Sequence, residues 1–199
     1  MKRSGQMASK VAQRMRFFHA TAPALMFAVF ACSSTRVGIA PASPARKLCQ
    51  NVGENIHALV LWRPQWRPDQ KEPNKREEAA ELGIEDFFST SQCFGRTRIE
   101  RSDAESITTY QQTNLKTSPD FERLIHITIR ELGPTVRLFN SFALLEGGTE
   151  VVLEIEVSDR GADLVEKYRV HWQDGGPWTL KGVTTLRADM AASLAAVFR

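Results

Sequence analysis

Residues 56–62 read IHALVLW, apolar at nearly every position and rich in branched side chains. A run this short is the signature of a strand buried on both faces, and such strands belong to sheets covered by helices. The residues after it support that setting. Asn74 with Glu77 three residues on forms a capping-box variant, and Lys75 to Phe88 then reads as a helix. Ala80, Ile84, Phe87 and Phe88 fall on one face of it. Gly83 weakens that helix by about 1 kcal/mol relative to alanine. A second strand comes at 95–101, GRTRIER. Strand, helix, strand at these lengths predicts a right-handed β-α-β unit with parallel strands.

Downstream, the period changes. In LIHITIREL, Ile125, Ile127 and Ile129 alternate with His126, Thr128 and Arg130; in EVVLEIEV, Val151, Leu153, Ile155 and Val157 alternate with Val152, Glu154 and Glu156. Both predict strands with one core face and one wet face. Across the wet face, Glu154 and Glu156 are placed to pair with Arg130 or Arg169. KYRVHW, 167–172, adds a strand, and Glu-Gly-Gly at 146–148 and Asp-Arg-Gly at 159–161 read as turns of an antiparallel meander. Residues 102–120 are polar and weakly patterned and read as a long loop with room for a short helix inside it. A closing helix from about Thr185 repeats Leu186, Met190, Leu194 and Val197. The expected fold is α/β (α+β): a two-layer sandwich with a mixed sheet of about five strands and two main helices on one face.

The 199 residues carry 26 basic and 23 acidic side chains, a net charge of +3. Lys2, Arg3, Lys10, Arg14 and Arg16 stand in a leader without a single acid; without them, 21 bases face 23 acids and the balance is −2. The folded part therefore has no electrostatic claim on nucleic acid. After Arg16 comes FFHATAPALMFAVFA, too short to span a bilayer and interrupted by Pro23, which is the build of a secretory signal.

The stretch AVFACSS, with Val29, Ala31, Cys32 and Ser33, resembles a bacterial lipobox, and a start at Met15 fits that pattern better than Met1. The resemblance implies cleavage before Cys32, acylation of its thiol and, with Ser33 after it, sorting to the outer membrane facing the periplasm. An ordinary cleaved signal with a soluble periplasmic product, or a mitochondrial presequence, also fits a basic leader without acids. The division expected is a signal over 1–31, a lipidated Cys32 with a flexible tether over 32–53, and a single domain over 54–199. Two cysteines then remain, Cys49 and Cys93, an even number in a compartment that permits disulfides. Each precedes a parallel strand, so both come to one end of the sheet, where they form a disulfide or stay as two buried thiols.

The order of elements, with a helix ending in FFSTSQCF and a second strand GRTRIER, is similar to the small α/β domains of bacterial envelope proteins. Examples are the amino-terminal domain of the TolB translocation protein and the auxiliary lipoproteins of ABC-type transporters. That resemblance implies a non-enzymatic accessory protein and carries over no functional residue.

No nucleophile elbow, zincin, P-loop, Cys-x-x-Cys or dinucleotide motif occurs. His57, His126 and His171 fall on separate strands; only His126 and His171 are placed to meet, across the wet face. No metal or cofactor is expected. Trp172 and Trp178 flank QDGGP, where they pack an edge or form an aromatic platform. In WRPQWRPDQ, 62–70, Pro64 and Pro68 exclude a helix, so Trp62 ends the strand as a core residue. Arg63, Trp66 and Arg67 then form an exposed cluster at the carboxyl end of a parallel strand, where open α/β sheets bind partners. The expected function is a lipid-anchored, non-enzymatic binding or accessory protein of the envelope, with the membrane and envelope proteins as partners. The alternative is a small periplasmic enzyme or glycan-binding protein using that Trp/Arg loop.

Overall fold

The computed structural model describes residues 34–40, 48–49, 56–114, 121–139, 144–161, 165–177 and 179–199. The expected signal over 1–31, the expected lipidation site Cys32 and Trp178 lie outside these. Among the described residues a six-stranded mixed sheet runs in the order β1-β6-β5-β4-β2-β3. Its strands are β1 (Ser34–Ala40), β2 (His57–Pro64), β3 (Arg96–Arg101), β4 (Arg123–Phe139), β5 (Leu144–Asp159) and β6 (Val165–Pro177). Helix α1 (Pro73–Thr90) joins β2 to β3, the short α2 (Ile107–Asn114) precedes β4, and α3 (Leu186–Phe198) closes the chain. β2 lies between β3 and β4 and is parallel to both; the other pairings are antiparallel.

The two-layer sandwich is thus as expected, with one strand more. Ser34–Ala40, expected as tether, pairs antiparallel with β6 from Ser34↔Gly175 to Ala40↔Arg169. Residues so exposed along their length show little hydrophobic alternation; pairing with the open edge of β6 makes them a strand. Residues 34–40 therefore belong to the sheet rather than to a tether.

Ala58, Val60 and Trp62 of β2, Ile125, Ile127 and Ile129 of β4, and Leu153 and Ile155 of β5 form the core face against α1 and α3. Phe87, Phe88, Phe94 and Phe198 gather where the two helices end, with ring centroids 4.9–6.4 Å apart. The Cys49–Cys93 disulfide lies at that end, with Cα atoms 4.9 Å apart, and the Cys49 amide donates to the Phe198 carbonyl at 2.9 Å. Arg123, buried, ties the same segment to the sheet by donating to the Leu48 carbonyl at 3.2 Å and to Asp159 at 2.6 Å.

The start of α1 departs from the expected capping box. The helix begins at Pro73, after an N-cap Glu72 in the left-handed region with φ 53° and no side-chain cap. Proline at the first position presets φ for the helix, while Glu77 is drawn off by Trp66 and Arg101. The pair Gly147 and Gly148 is likewise not a turn but lies inside β5, opposite Gly176 and Gly175 of β6. A Cβ on Gly175 would stand 2.3 Å from the Gly147 carbonyl oxygen and 2.6 Å from the Gly148 Cα, so the strands approach too closely there for any side chain.

Gly83 has a tertiary reason too. It is buried where α1 crosses α3, and a Cβ there would fall 2.6 Å from the Arg187 carbonyl oxygen and 2.7 Å from the Met190 Cβ. Gly83→Ala, which in an isolated helix would gain about 1 kcal/mol, is expected to destabilise the domain. The overpacking costs roughly 1–3 kcal/mol, and urea unfolding would show a lowered midpoint.

Candidate functional site

β2 stops at Pro64 while β4 and β5 run on, so the carboxyl end of β2 makes a step in the sheet. The Gln65 amide extends the pairing by donating to the Ile129 carbonyl at 2.8 Å. At this level β4 carries a bulge between Ile129 and Glu131. The extra residue bends the strand and re-aims its side chains. Glu131 becomes a hub: it pairs with Arg67 at 3.0 Å and Arg76 at 3.6 Å, and Gln70 donates to it. Arg76 also donates to the Leu132 carbonyl and packs over Gly133, where a Cβ would collide with its guanidinium. The loop after β2 is thereby fastened across β4.

Trp62 is buried, as expected, with the Arg101 guanidinium 5.6 Å from its ring centroid. Trp66 is only half-exposed: it packs against the core, and its indole N–H donates to Glu77 at 3.2 Å. Glu77 in turn pairs with Arg101 at 2.8 Å. The exposed Trp-Arg cluster is therefore split. Trp66 and Arg67 border one shallow hollow with Glu131, whereas Arg63 points to the other side of the step. Strand alternation separates them, since Arg63 follows Leu59 and Leu61 on the face away from α1 and α3.

On that second face lies a polar cleft of about 200 Å³, lined by Arg63, Gln65, His126, Thr128, Arg130 and Glu154 among others. The segment leading into α2 closes one side, with Ile107 buried and its amide donating to Glu156 at 2.9 Å. His126 is 1% exposed, and its Nε2 lies 2.9 Å from the Ala104 carbonyl oxygen. His126 and His171 do not meet: His126 is opposite Glu156, and His171 is opposite Val152 and bonded to Glu150. The expected wet-face pairs form at Glu154, whereas Glu156 takes a lysine instead of either arginine. Glu154 takes Arg130 at 2.7 Å and Arg169 at 2.6 Å, and Glu156 takes Lys167 at 2.6 Å. Burial alone would raise the Glu154 carboxyl, but its hydrogen bonds from Arg130 and Arg169 outweigh burial and hold it below the usual range.

Burial pushes the His126 imidazole below its ordinary value of 6.5, against the opposing pull of the Ala104 carbonyl and Glu156. The folded protein then binds fewer protons at this site than the unfolded chain as pH falls below 6.5. Stability contributed by neutral His126 is present above that value and declines as pH drops towards the folded-state value. Thermal unfolding from pH 7.5 to 5 is expected to show that decline, and a flatter profile in His126→Gln.

Two features had no sequence signal. Lys181, nearly buried, reaches Asp174 on β6 and Asp189 on α3, the latter at 2.8 Å, and stands 5.7 Å from the Trp172 ring centroid. The bulge at Ile129 is the other. Among the described residues no group of three or more His, Cys, Asp or Glu side chains is placed to hold a metal ion.

Neither a protein-family model nor a curated protein matches the chain. Solved structures give distant resemblance at the level of fold. The PelC dodecamer from Paraburkholderia phytofirmans is 12% identical, covering 83% of this chain and 97% of that one, with a TM-score of 0.39. A neuraminyllactose-binding hemagglutinin homolog from Helicobacter pylori is 10% identical over 70% of this chain and 80% of that one, with a TM-score of 0.37. The hypothetical protein CT253 from Chlamydia trachomatis is 12% identical over 72% of this chain and 92% of that one, with a TM-score of 0.39.

Proposed function

We propose that this chain is a non-enzymatic binding or accessory module of the bacterial cell envelope, anchored by an acylated Cys32 to the outer membrane and facing the periplasm. The observation that carries this reading is the pairing of Cys49 with Cys93. It accounts for two of the three cysteines, leaving Cys32 where the apolar leader ends. A disulfide persists in an exported protein and not in a reducing cytosol. The partner surface is the step at the end of β2, where Trp66 and Arg67 border one hollow and Arg63 the cleft behind it.

The binding reading has more support than an enzymatic one. His126 is buried against a carbonyl, and Glu154 and Glu156 are engaged by Arg130, Arg169 and Lys167. A glycan platform has less support as well, since the Trp66 indole is half-buried and its N–H is spent on Glu77. Radiolabelled palmitate is expected to enter the full chain but not Cys32→Ser. Crosslinking in cells is expected to capture an envelope protein with the native chain and to lose it in Arg63→Ala, Trp66→Ala or Arg67→Ala. A soluble, unlabelled product defeats the anchor, and capture unaltered in all three variants defeats the surface.

A further inference from the structure

The strands β4, β5, β6 and β1 continue as an arm past the ends of β2 and β3; β4 and β5 reach roughly 30 Å beyond Ile129 at about 3.3 Å per residue, and β6 and β1 end short of that tip. The described residues have three large hydrophobic side chains that are clearly exposed, Val37 at 44%, Val136 at 58% and Leu180 at 75%. All three gather on this arm. Val37 is opposite Trp172 in the β1–β6 register. Val136 is opposite Gly147, against which the Thr179 carbonyl packs, so Leu180 follows directly beside that pair. Strand alternation puts Val37 with Trp172, and Val136 with Leu132, on the face that α1 and α3 cover elsewhere. At Val37 and Val136 no helix among the described residues covers it.

The amino terminus of β1 lies on the same arm. Ser34 is opposite Gly175, its hydroxyl donates to the Gly175 carbonyl at 3.4 Å, and the Thr35 hydroxyl donates to Asp174 at 2.8 Å. The strand is fastened to β6 from its first residue. Cys32 precedes Ser34 by two residues, a reach of roughly 7 Å at most. A lipid on Cys32 would therefore hold this arm at the headgroups with little slack, which is a reason to favour a bilayer over a protein as the occupant of the patch.

We propose that the uncovered arm, through Val136, Leu180 and Val37, rests on the bilayer as a second contact beside the lipid, so that the domain stands in a fixed orientation. The proposal rests on the lipid-anchor reading. Such an orientation turns the α1–β3 end with its disulfide away from the membrane, and it sets the step at β2 at a definite height. Apolar side chains at headgroup depth add to an acyl anchor in this way.

The test uses the acylated mature protein in vesicles of phosphatidylethanolamine and phosphatidylglycerol with brominated acyl chains. Val136→Trp and Leu180→Trp are compared with Ser89→Trp, exposed near the carboxyl end of α1, after subtracting native emission. The added tryptophans at 136 and 180 are expected to lose about half their emission, as residues at interfacial depth do, and the one at 89 to lose none. Equal quenching at all three positions overturns the proposal. So does shielding from acrylamide without quenching by bromolipid, which assigns the patch to a protein contact. Intact mass separates the two readings: protein lacking the acyl group defeats the anchor and this proposal together, whereas acylated protein with unquenched tryptophans defeats this proposal alone.

Discussion

Cys49→Ser with Cys93→Ser is expected to cost about 4 kcal/mol of stability, the chain-entropy value for a closed loop of this length. The sequence separation is 44 residues, and the loop holds β2, α1 and the first turn towards β3. Much of the loss should appear as local release. The Cys49 amide caps the Phe198 carbonyl at the end of α3, and the Arg123 guanidinium holds the Leu48 carbonyl beside it. Once the disulfide is gone, those two hydrogen bonds and the packing of the buried Leu48 are what hold the segment against the core. Denaturant unfolding of the double variant, compared with the native chain under oxidising and reducing conditions, checks this. The native chain in reductant should match the variant.

Lys181→Met is expected to destabilise the fold by about 3–5 kcal/mol, the usual cost of removing one partner from a buried ion pair. Asp189 is 6% exposed, and its Oδ2 has no hydrogen-bond partner among the described residues, so Lys181 is what compensates that carboxylate. The lysine also joins β6 to α3 by way of Asp174. Adding Asp189→Asn should recover part of the loss, because the uncompensated charge is then gone. Burial would lower the Lys181 ammonium, but its hydrogen bonds to Asp174 and Asp189 outweigh that and raise it. A raised folded-state value means stability that is full below the unfolded lysine value near 10.4 and lost as pH rises through the folded one. Thermal unfolding from pH 9 to 11.5 should therefore fall more steeply for the native chain than for Lys181→Met.

Elements that carry their own burial pattern were legible. IHALVLW, the alternating isoleucines of β4, and Leu186, Met190, Leu194 and Val197 of α3 each declare a buried face within a few residues. β1 declares none, because STRVGIA is exposed almost throughout and owes its conformation to the free edge of β6. The glycines at 147 and 148 misled for a related reason. Local rules assign such pairs to turns, whereas two strands crossing closely need glycine on both sides.

The site was half legible. The end of β2 was located, and the Arg130, Glu154 and Arg169 ladder followed from alternation alone. That Arg63 and Trp66 lie on different sides of the step depends on parity across Pro64 and on the bulge at Ile129, which has no local signature. Lys181 was invisible because its two carboxylates come from separate elements and meet it only after packing.

Intact-mass spectrometry of the protein extracted from membranes tests most directly whether the domain is exported and fixed to a membrane at Cys32. The expected species begins at Cys32, carries diacylglycerol on that thiol, and loses no further cysteine to alkylation until Cys49 and Cys93 are reduced. A soluble species cut elsewhere in the leader, or one with Cys49 and Cys93 alkylated without reductant, would contradict it.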